Sequence, residues 1–252
     1  MNDFSRTYAG APSMDMSADA GLRSFMLGVY NKMGLGLIVS ALIAYSVGTF
    51  APLTQLVFGT PLFYVVQWGP IVLLLGSNFL MRNPSPAMSG FLYWAIVSLI
   101  GASLSFWVII ATSGQAAQSF SGSISVDWGT IAQAFFITSS AFLALSVYGY
   151  TTKRNLMGMG TFLFMAIWGA LGLGIMNFFF FQSGMLELVL QFGVLLLMAA
   201  LTAFQTQALK VTYYEIAGDT RSMAVMTNFG ALNLYIAFVN MFQIILSLLG
   251  RE

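Results

Sequence analysis

The sequence predicts an all-α integral membrane protein, a bundle of seven transmembrane helices with the N-terminus cytoplasmic and the C-terminus outside. Three observations predict this class. Charged residues make up 7% of the 252-residue chain and hydrophobic residues 58%, where a soluble domain carries about 25% charged residues. The charges fall in short clusters, with none between Lys32 and Arg82, between Arg82 and Asp127, or between Arg221 and Arg251. Seven apolar runs lie among these clusters, four of them inside the charge-free intervals, each close to the roughly 20 residues of helix that cross a hydrocarbon core about 30 Å thick.

Taken in order, residues 1–21 read as a polar N-terminal tail and residues 22–252 as the transmembrane domain. A secretory signal would place its apolar segment nearer the start, so no cleaved leader is expected. Leu22, Phe25, Met26, Val29 and Met33 recur at helical spacing, with Arg23 and Lys32 off the stripe. That pattern fits a surface-lying helix or a cytoplasmic extension of the first span. The first span covers 33–50 and carries Gly36, Ser40, Ala44 and Gly48 every fourth residue. The second, 64–81, contains Pro70, where a kink is expected. The third and fourth run over 90–112 and 130–149. The fifth, 160–181, repeats the small-residue spacing at Ala166, Ala170 and Gly174 and ends on Phe178, Phe179, Phe180 and Phe181. Small residues on one stripe let helices approach closely, so both stripes point to packing within the bundle. The phenylalanine run is expected to anchor in the interface. The sixth span, 186–205, opens on Glu187, expected as a solvated carboxylate at the boundary. The seventh covers 223–249, long enough to cross rather than re-enter. Continuous apolar runs of this length exclude barrel strands, which need about 10 residues of alternating pattern.

Orientation follows from the basic residues. With a cytoplasmic N-terminus, Arg6, Arg23, Lys32, Arg82, Lys153, Arg154, Lys210 and Arg221 all lie inside, and Arg251 alone lies outside. This is the positive-inside asymmetry.

The chain has no histidine and no cysteine, which removes disulfides, thiolate and imidazole catalysis, and the usual zinc and haem sites. A net charge of +1 offers no electrostatic case for nucleic acid. No metal, cofactor or catalytic residue is expected, and the protein is not read as an enzyme. Inside the spans the polarity is neutral: Gln67, Asn78, Gln133, Asn177, Gln191, Gln205, Asn228, Asn233, Asn240 and Gln243. Such residues mostly bond between helices. Gln205, Asn233 and Asn240 stand out because they fall in the last two spans, where they could face each other.

Five segments carry a family resemblance: LRSFMLGVYNKMGLGL (22–37), GASLSFW (101–107), GYTTKRNLMGMGTFL (149–163), LTAFQTQALK (201–210) and GALNLYIAFVNMF (230–242). From about residue 20 to its end the chain resembles the Bax inhibitor-1 family, in its bacterial YccA-like branch. The resemblance implies a bacterial inner-membrane protein of seven helices, the last surrounded by the other six. It also implies a pH-sensitive calcium leak and, in some bacterial members, association with a membrane protease. The family's sixth-helix motif reads Tyr-Asp-Thr-Gln where this chain has Phe204-Gln205-Thr206-Gln207. Its seventh-helix motif reads Leu-Tyr-Leu-Asp-Phe-Ile-Asn where this chain has Leu234-Tyr235-Ile236-Ala237-Phe238-Val239-Asn240. Both gate aspartates are thus replaced, at Gln205 and Ala237, and Arg82 stands where the family arginine would pair with the first. Close carboxylates couple to pH because both cannot ionise at short range; glutamine and alanine do not titrate. Two functions remain: a calcium-leak relative without its pH switch, or a non-transporting partner that modulates a membrane protease or another membrane complex. In either case the surrounding partner is the lipid bilayer.

Overall fold

A computed structural model describes residues 20–80, 84–119 and 122–251, with the side chains of 78–80 left aside. The chain folds as α1 (Ala20–Thr49), α2 (Ala51–Phe58), α3 (Leu62–Leu80), α4 (Pro86–Ser113), a hairpin of β1 (Ala117–Ser119) and β2 (Gly122–Ile124), then α5 (Trp128–Thr151), α6 (Gly160–Met176), α7 (Gly184–Ile216) and α8 (Thr220–Leu249). A 3-10 turn (Met157–Met159) leads into α6 and a π turn (Asn177–Phe181) ends it. Six helices are long and apolar enough to cross a membrane, and α2 with α3 makes a seventh when the bent pair is taken as one span.

Polar caps set the helix starts. The side chains of Ser85, Asp127, Ser183 and Asp219 each accept a backbone N–H from the first turn of α4, α5, α7 and α8. A cap of this kind satisfies a donor that has no intrahelical partner. The Thr130 hydroxyl and then its N–H hold the exposed Asp127 carboxyl below its usual range, and the Ser222 hydroxyl leads in doing the same for Asp219.

Two span boundaries and one bend differ from the sequence reading. The stripe from Leu22 to Met33 belongs to α1 itself, its five residues at most 5% exposed, so of the two readings open to it the stripe is an extension of the first span, which reaches back to residue 20. That extension packs on the far end of α7, where the Phe25 and Tyr213 rings lie 5.6 Å apart. α7 has 33 residues, about 50 Å of helix, and overshoots the hydrocarbon core. Both overshooting ends bury apolar surface against each other. Third, α3 runs unbroken through Pro70, and the sharp bend of 69° falls between α2 and α3 instead. The break carries Gly59 and Pro61, and α2 opens with Pro52 near its first turn; these residues supply the bend that Pro70 was expected to make.

α8 is the most buried helix and packs chiefly against α1, α4, α5 and α7, while α3 leans on α4 and α6 leans on α7. The expected central position of the last helix holds, although two of the six others stand on the flanks. The tightest seam joins α1 to α4. A methyl group on Gly36 would lie 2.1 Å from the Tyr93 hydroxyl, one on Gly48 2.6 Å from Val108, and one on Gly101 2.8 Å from the Ser40 Cα. Gly149 makes a comparable approach between α5 and α7, 2.3 Å from the Ala203 carbonyl oxygen. The α6 stripe behaves differently: nothing lies within 4 Å of a methyl on Gly174. Ala170 and Gly174 border an open cleft rather than a packed seam. Phe178, Phe179, Phe180 and Phe181 are all more than half exposed, as interface anchors are.

The charged residues separate to the two ends of the bundle. At the end opposite the basic clusters, Arg251 bonds Glu187 at 3.1 Å, with side chains 12% and 18% exposed. Glu187 is therefore largely buried and paired, not a free solvated carboxylate. Ser125 N donates to the Gly250 carbonyl at 2.7 Å and Ile124 bridges to Arg251, so the hairpin, α7 and the chain end close together. The apparent exception to the basic asymmetry is the counter-ion of the only carboxylate in the first turn of α7.

Two measurements check this packing. Gly101→Ala and Gly149→Ala should each cost about 1–3 kcal/mol by overpacking against backbone, whereas Gly174→Ala should change stability by less than about 0.5 kcal/mol, read as unfolding in detergent; equal losses at all three positions would contradict the seams. Glu187→Gln and Arg251→Gln should each destabilise by about 1–3 kcal/mol through the charge left behind. The double variant should recover part of that loss, and strict additivity would mean the pair does not interact.

Candidate functional site

Gln205 and Ala237, the positions the sequence resemblance assigned to a gate, lie on α7 and α8. These helices run antiparallel: the Thr202 hydroxyl reaches Met241 Sδ at 3.8 Å, and further along Leu209 fills the notch at Gly230. Gln205 and Ala237 fall between those two contacts and so stand at the same level. Ala237 is completely buried. Gln205 has a buried amide oxygen with no hydrogen-bond partner among the described residues, which costs about 1–3 kcal/mol in an apolar setting. A methyl group and an unsatisfied amide oxygen occupy this level, and neither can titrate. Arg82 lies outside the described residues.

Beside this level, toward the basic end, a polar network joins α1, α4 and α8. The Lys32 ammonium bonds Asn228 Oδ1 and sits over the Tyr93 ring, 5.2 Å from its centroid. Asn228 Nδ2 donates to Ser89 Oγ at 2.7 Å and to the Pro86 carbonyl at 3.2 Å. The Tyr93 hydroxyl lies in the Gly36 notch and donates to the Lys32 carbonyl at 2.6 Å. One turn further, Ser40 Oγ donates to the Val97 carbonyl at 3.0 Å and meets the Tyr235 hydroxyl at 2.5 Å. The small stripe of α1 thus does two jobs, letting α4 approach and giving two buried tyrosine hydroxyls room and partners.

The rest of the neutral polarity is distributed differently from expectation. Gln205, Asn233 and Asn240 do not converge. Asn233 is exposed, while Asn240 borders three cavities, of about 690, 480 and 160 Å³, and Gln205 lines none of them. The smallest lies between α3, α4 and α8 and brings Asn240 together with Gln67, Ser103 and Gln243. Pro70 also lines it; lacking an N–H, it leaves the carbonyl four residues back, that of Val66, without its helical donor. Asn177 is structural: its amide accepts from Ser183 N at 3.0 Å and donates to the Ser183 carbonyl at 3.2 Å, which fixes the turn from α6 to α7. Gln191 bridges Glu187 and Ser247 at 3.3 and 3.4 Å. Gln133 is exposed. The tyrosine network and Ser103 were not among the residues singled out from sequence. A usable signal was present in the tyrosines, each a polar tip within an apolar span with glycine or serine at helical spacing on another. Among the described residues no group of three or more His, Cys, Asp or Glu gathers to hold a metal ion.

The comparisons agree with this architecture. The sequence profile of Bax1-I, described as inhibitor of apoptosis-promoting Bax1, matches residues 22–252. An uncharacterized protein of Caulobacter vibrioides is 46% identical over 262 residues, covering 99% of this chain and 98% of its own length. An uncharacterized protein of Rickettsia prowazekii is 32% identical, covering 100% and 99%. The inner membrane protein YbhL of Escherichia coli K12 is 30% identical, covering 92% and 94%. With the profile spanning nearly the whole chain and relatives matched end to end, the helical bundle is a multi-pass protein of the bacterial inner membrane, and the chain belongs to the Bax inhibitor-1 family.

Proposed function

We propose that this protein is a cation-leak member of its family that has lost the carboxylate pH switch and rests closed. The observation that carries the reading is the pairing of fully buried Ala237 with the unsatisfied Gln205 amide at one level of α7 and α8. Calcium favours several oxygen ligands with carboxylates among them, and that level offers one amide oxygen. The neutral crevice of Gln67, Ser103, Asn240 and Gln243 is the route along α8 that such a leak would use. No catalytic role enters this reading.

A second reading, a non-transporting partner that modulates a membrane protease or another membrane complex, is favoured by the packing around α8. The described core there holds no carboxylate, and Tyr93 and Tyr235 are completely buried in it. In both readings the N-terminus lies in the cytoplasm and the C-terminus outside, an orientation supported by the clustering of basic residues at one end.

In calcium-indicator liposomes at pH 6 and pH 8, the native chain should pass no more calcium than protein-free vesicles. A Gln205→Asp/Ala237→Asp double variant should conduct, with a rate that changes between the two pH values. Native flux that titrates would overturn the account of the missing switch. Silence in both proteins, with the variant shown folded, would favour the partner reading. A reporter active only outside the cytoplasm, fused after Glu252, should be active; an inactive fusion beside an active cytoplasmic reporter at the same site would reverse the orientation.

A further inference from the structure

The loop from α5 to α6 folds back across α7 at the basic end, and a cavity of about 570 Å³ opens there. Lys153, Arg154 and Lys210 line it, and no Asp or Glu does. Among the described residues none of the three forms a salt bridge. Like charges gathered without a counter-ion repel, so the cluster is a standing attraction for an anion.

The cluster is also held in place. Gln207, 9% exposed, accepts from Leu156 N at 2.6 Å and donates to the Arg154 carbonyl at 2.8 Å. One α7 amide thereby pins the loop on both sides of Asn155. Lys210 Nζ donates to the Tyr150 carbonyl at 2.8 Å and lies 4.8 Å from that ring's centroid, against the negative end of the α5 dipole. Thr152 Oγ1 and Asn155 Oδ1 accept from Arg154 N and Met157 N at 3.3 and 2.9 Å. With the backbone tied this way, Lys153 and Arg154 remain exposed beside the anchored Lys210.

We propose that this cavity binds the phosphate group of an anionic phospholipid headgroup. Phosphate is the shared chemistry of a lipid and a free ion, and the surroundings favour the lipid. Val147 at the end of α5 is 61% exposed, Met157 in the cavity wall 40%, and Phe162 in the first turns of α6 65%. A bound headgroup would therefore have Met157 in the cavity wall, and exposed apolar side chains on the adjoining turns of α5 and α6, for its acyl chains. Basic pockets between helices at the cytoplasmic surface recognise anionic headgroups in this way. The site is separate from the α8 crevice and does not depend on whether the bundle conducts.

The test titrates short-chain phosphatidylglycerol, short-chain phosphatidylcholine and inorganic phosphate into the full-length protein in a neutral detergent. Bound lipid is counted by native mass spectrometry and stability is read from the thermal midpoint. Phosphatidylglycerol should bind saturably and raise the midpoint; phosphatidylcholine should do neither. Lys153→Gln/Arg154→Gln and Lys210→Gln should weaken binding by about 5-fold for each cation removed. Gln207→Leu keeps every cation and should weaken binding by releasing the loop, while Arg221→Gln should leave it unchanged. Equal binding of the two lipids, or phosphatidylglycerol binding untouched in both the double variant and Lys210→Gln, would overturn the site. Inorganic phosphate that displaces phosphatidylglycerol at equal concentration would overturn the lipid as its occupant.

Discussion

Everything in the bundle is referred to the contact between α1 and α4. Two helices meeting in hydrocarbon gain nothing from expelling water, so their attraction rests on close van der Waals fit and on hydrogen bonds between them. Gly36, Gly48 and Gly101 remove the side chains that would hold the backbones apart, and the space is filled by the Tyr93 hydroxyl, Val108 and the Ser40 backbone. The same notches give the two tyrosine hydroxyls acceptors or partners on α1. α8 then packs against a pair whose spacing is already fixed, and its buried face from Val225 to Ser247 is shaped by that pair together with α5 and α7.

This arrangement explains how a chain with so few charges disposes of its polar atoms. In hydrocarbon an unpaired polar group has no water to turn to. Asn228 spends its amide on Lys32, Ser89 and the Pro86 carbonyl, and Asn177 spends its own on a turn. Glu187 and Arg251 neutralise each other at the opposite end. Some polar atoms stay unsatisfied among the described residues, the Gln205 amide oxygen and the Ser146 hydroxyl among them. The Gln205 amide and the bare methyl of Ala237 stand at one level of α7 and α8, and neither group can titrate. The uncovered strip of α8 bearing Asn233 and Asn240 faces the flank between α3 and α6, the two helices that lean outward instead of closing around the centre.

Much of the site was half legible. The four-residue spacing of Gly36, Ser40, Ala44 and Gly48 announces a packing seam and the structure contains one, yet on the α6 stripe Ala170 and Gly174 border a cleft. Spacing records which residues share a face and not what that face meets. Glu187 looked solvated because its partner is 64 residues away at the chain end. The grouping of Gln205 with Asn233 and Asn240 failed for a related reason: nearness along two helices does not fix how each is rotated. Lys153, Arg154 and Lys210 read in sequence only as orientation signals, because their grouping depends on Gln207 tying the loop beside α7.

What the sequence by itself determined is the membrane, the helices and the segregation of charge. Each rests on terms that add residue by residue: the transfer of side chains into hydrocarbon, the length a helix needs to cross it, and the field that keeps basic loops on one side. Only the tertiary structure decided where the first span begins, where the second bends, which polar groups meet and which remain open to a cavity. Those outcomes depend on the rotation, depth and neighbours of each helix, set by packing between residues far apart in the chain, and no local sum over the sequence contains them.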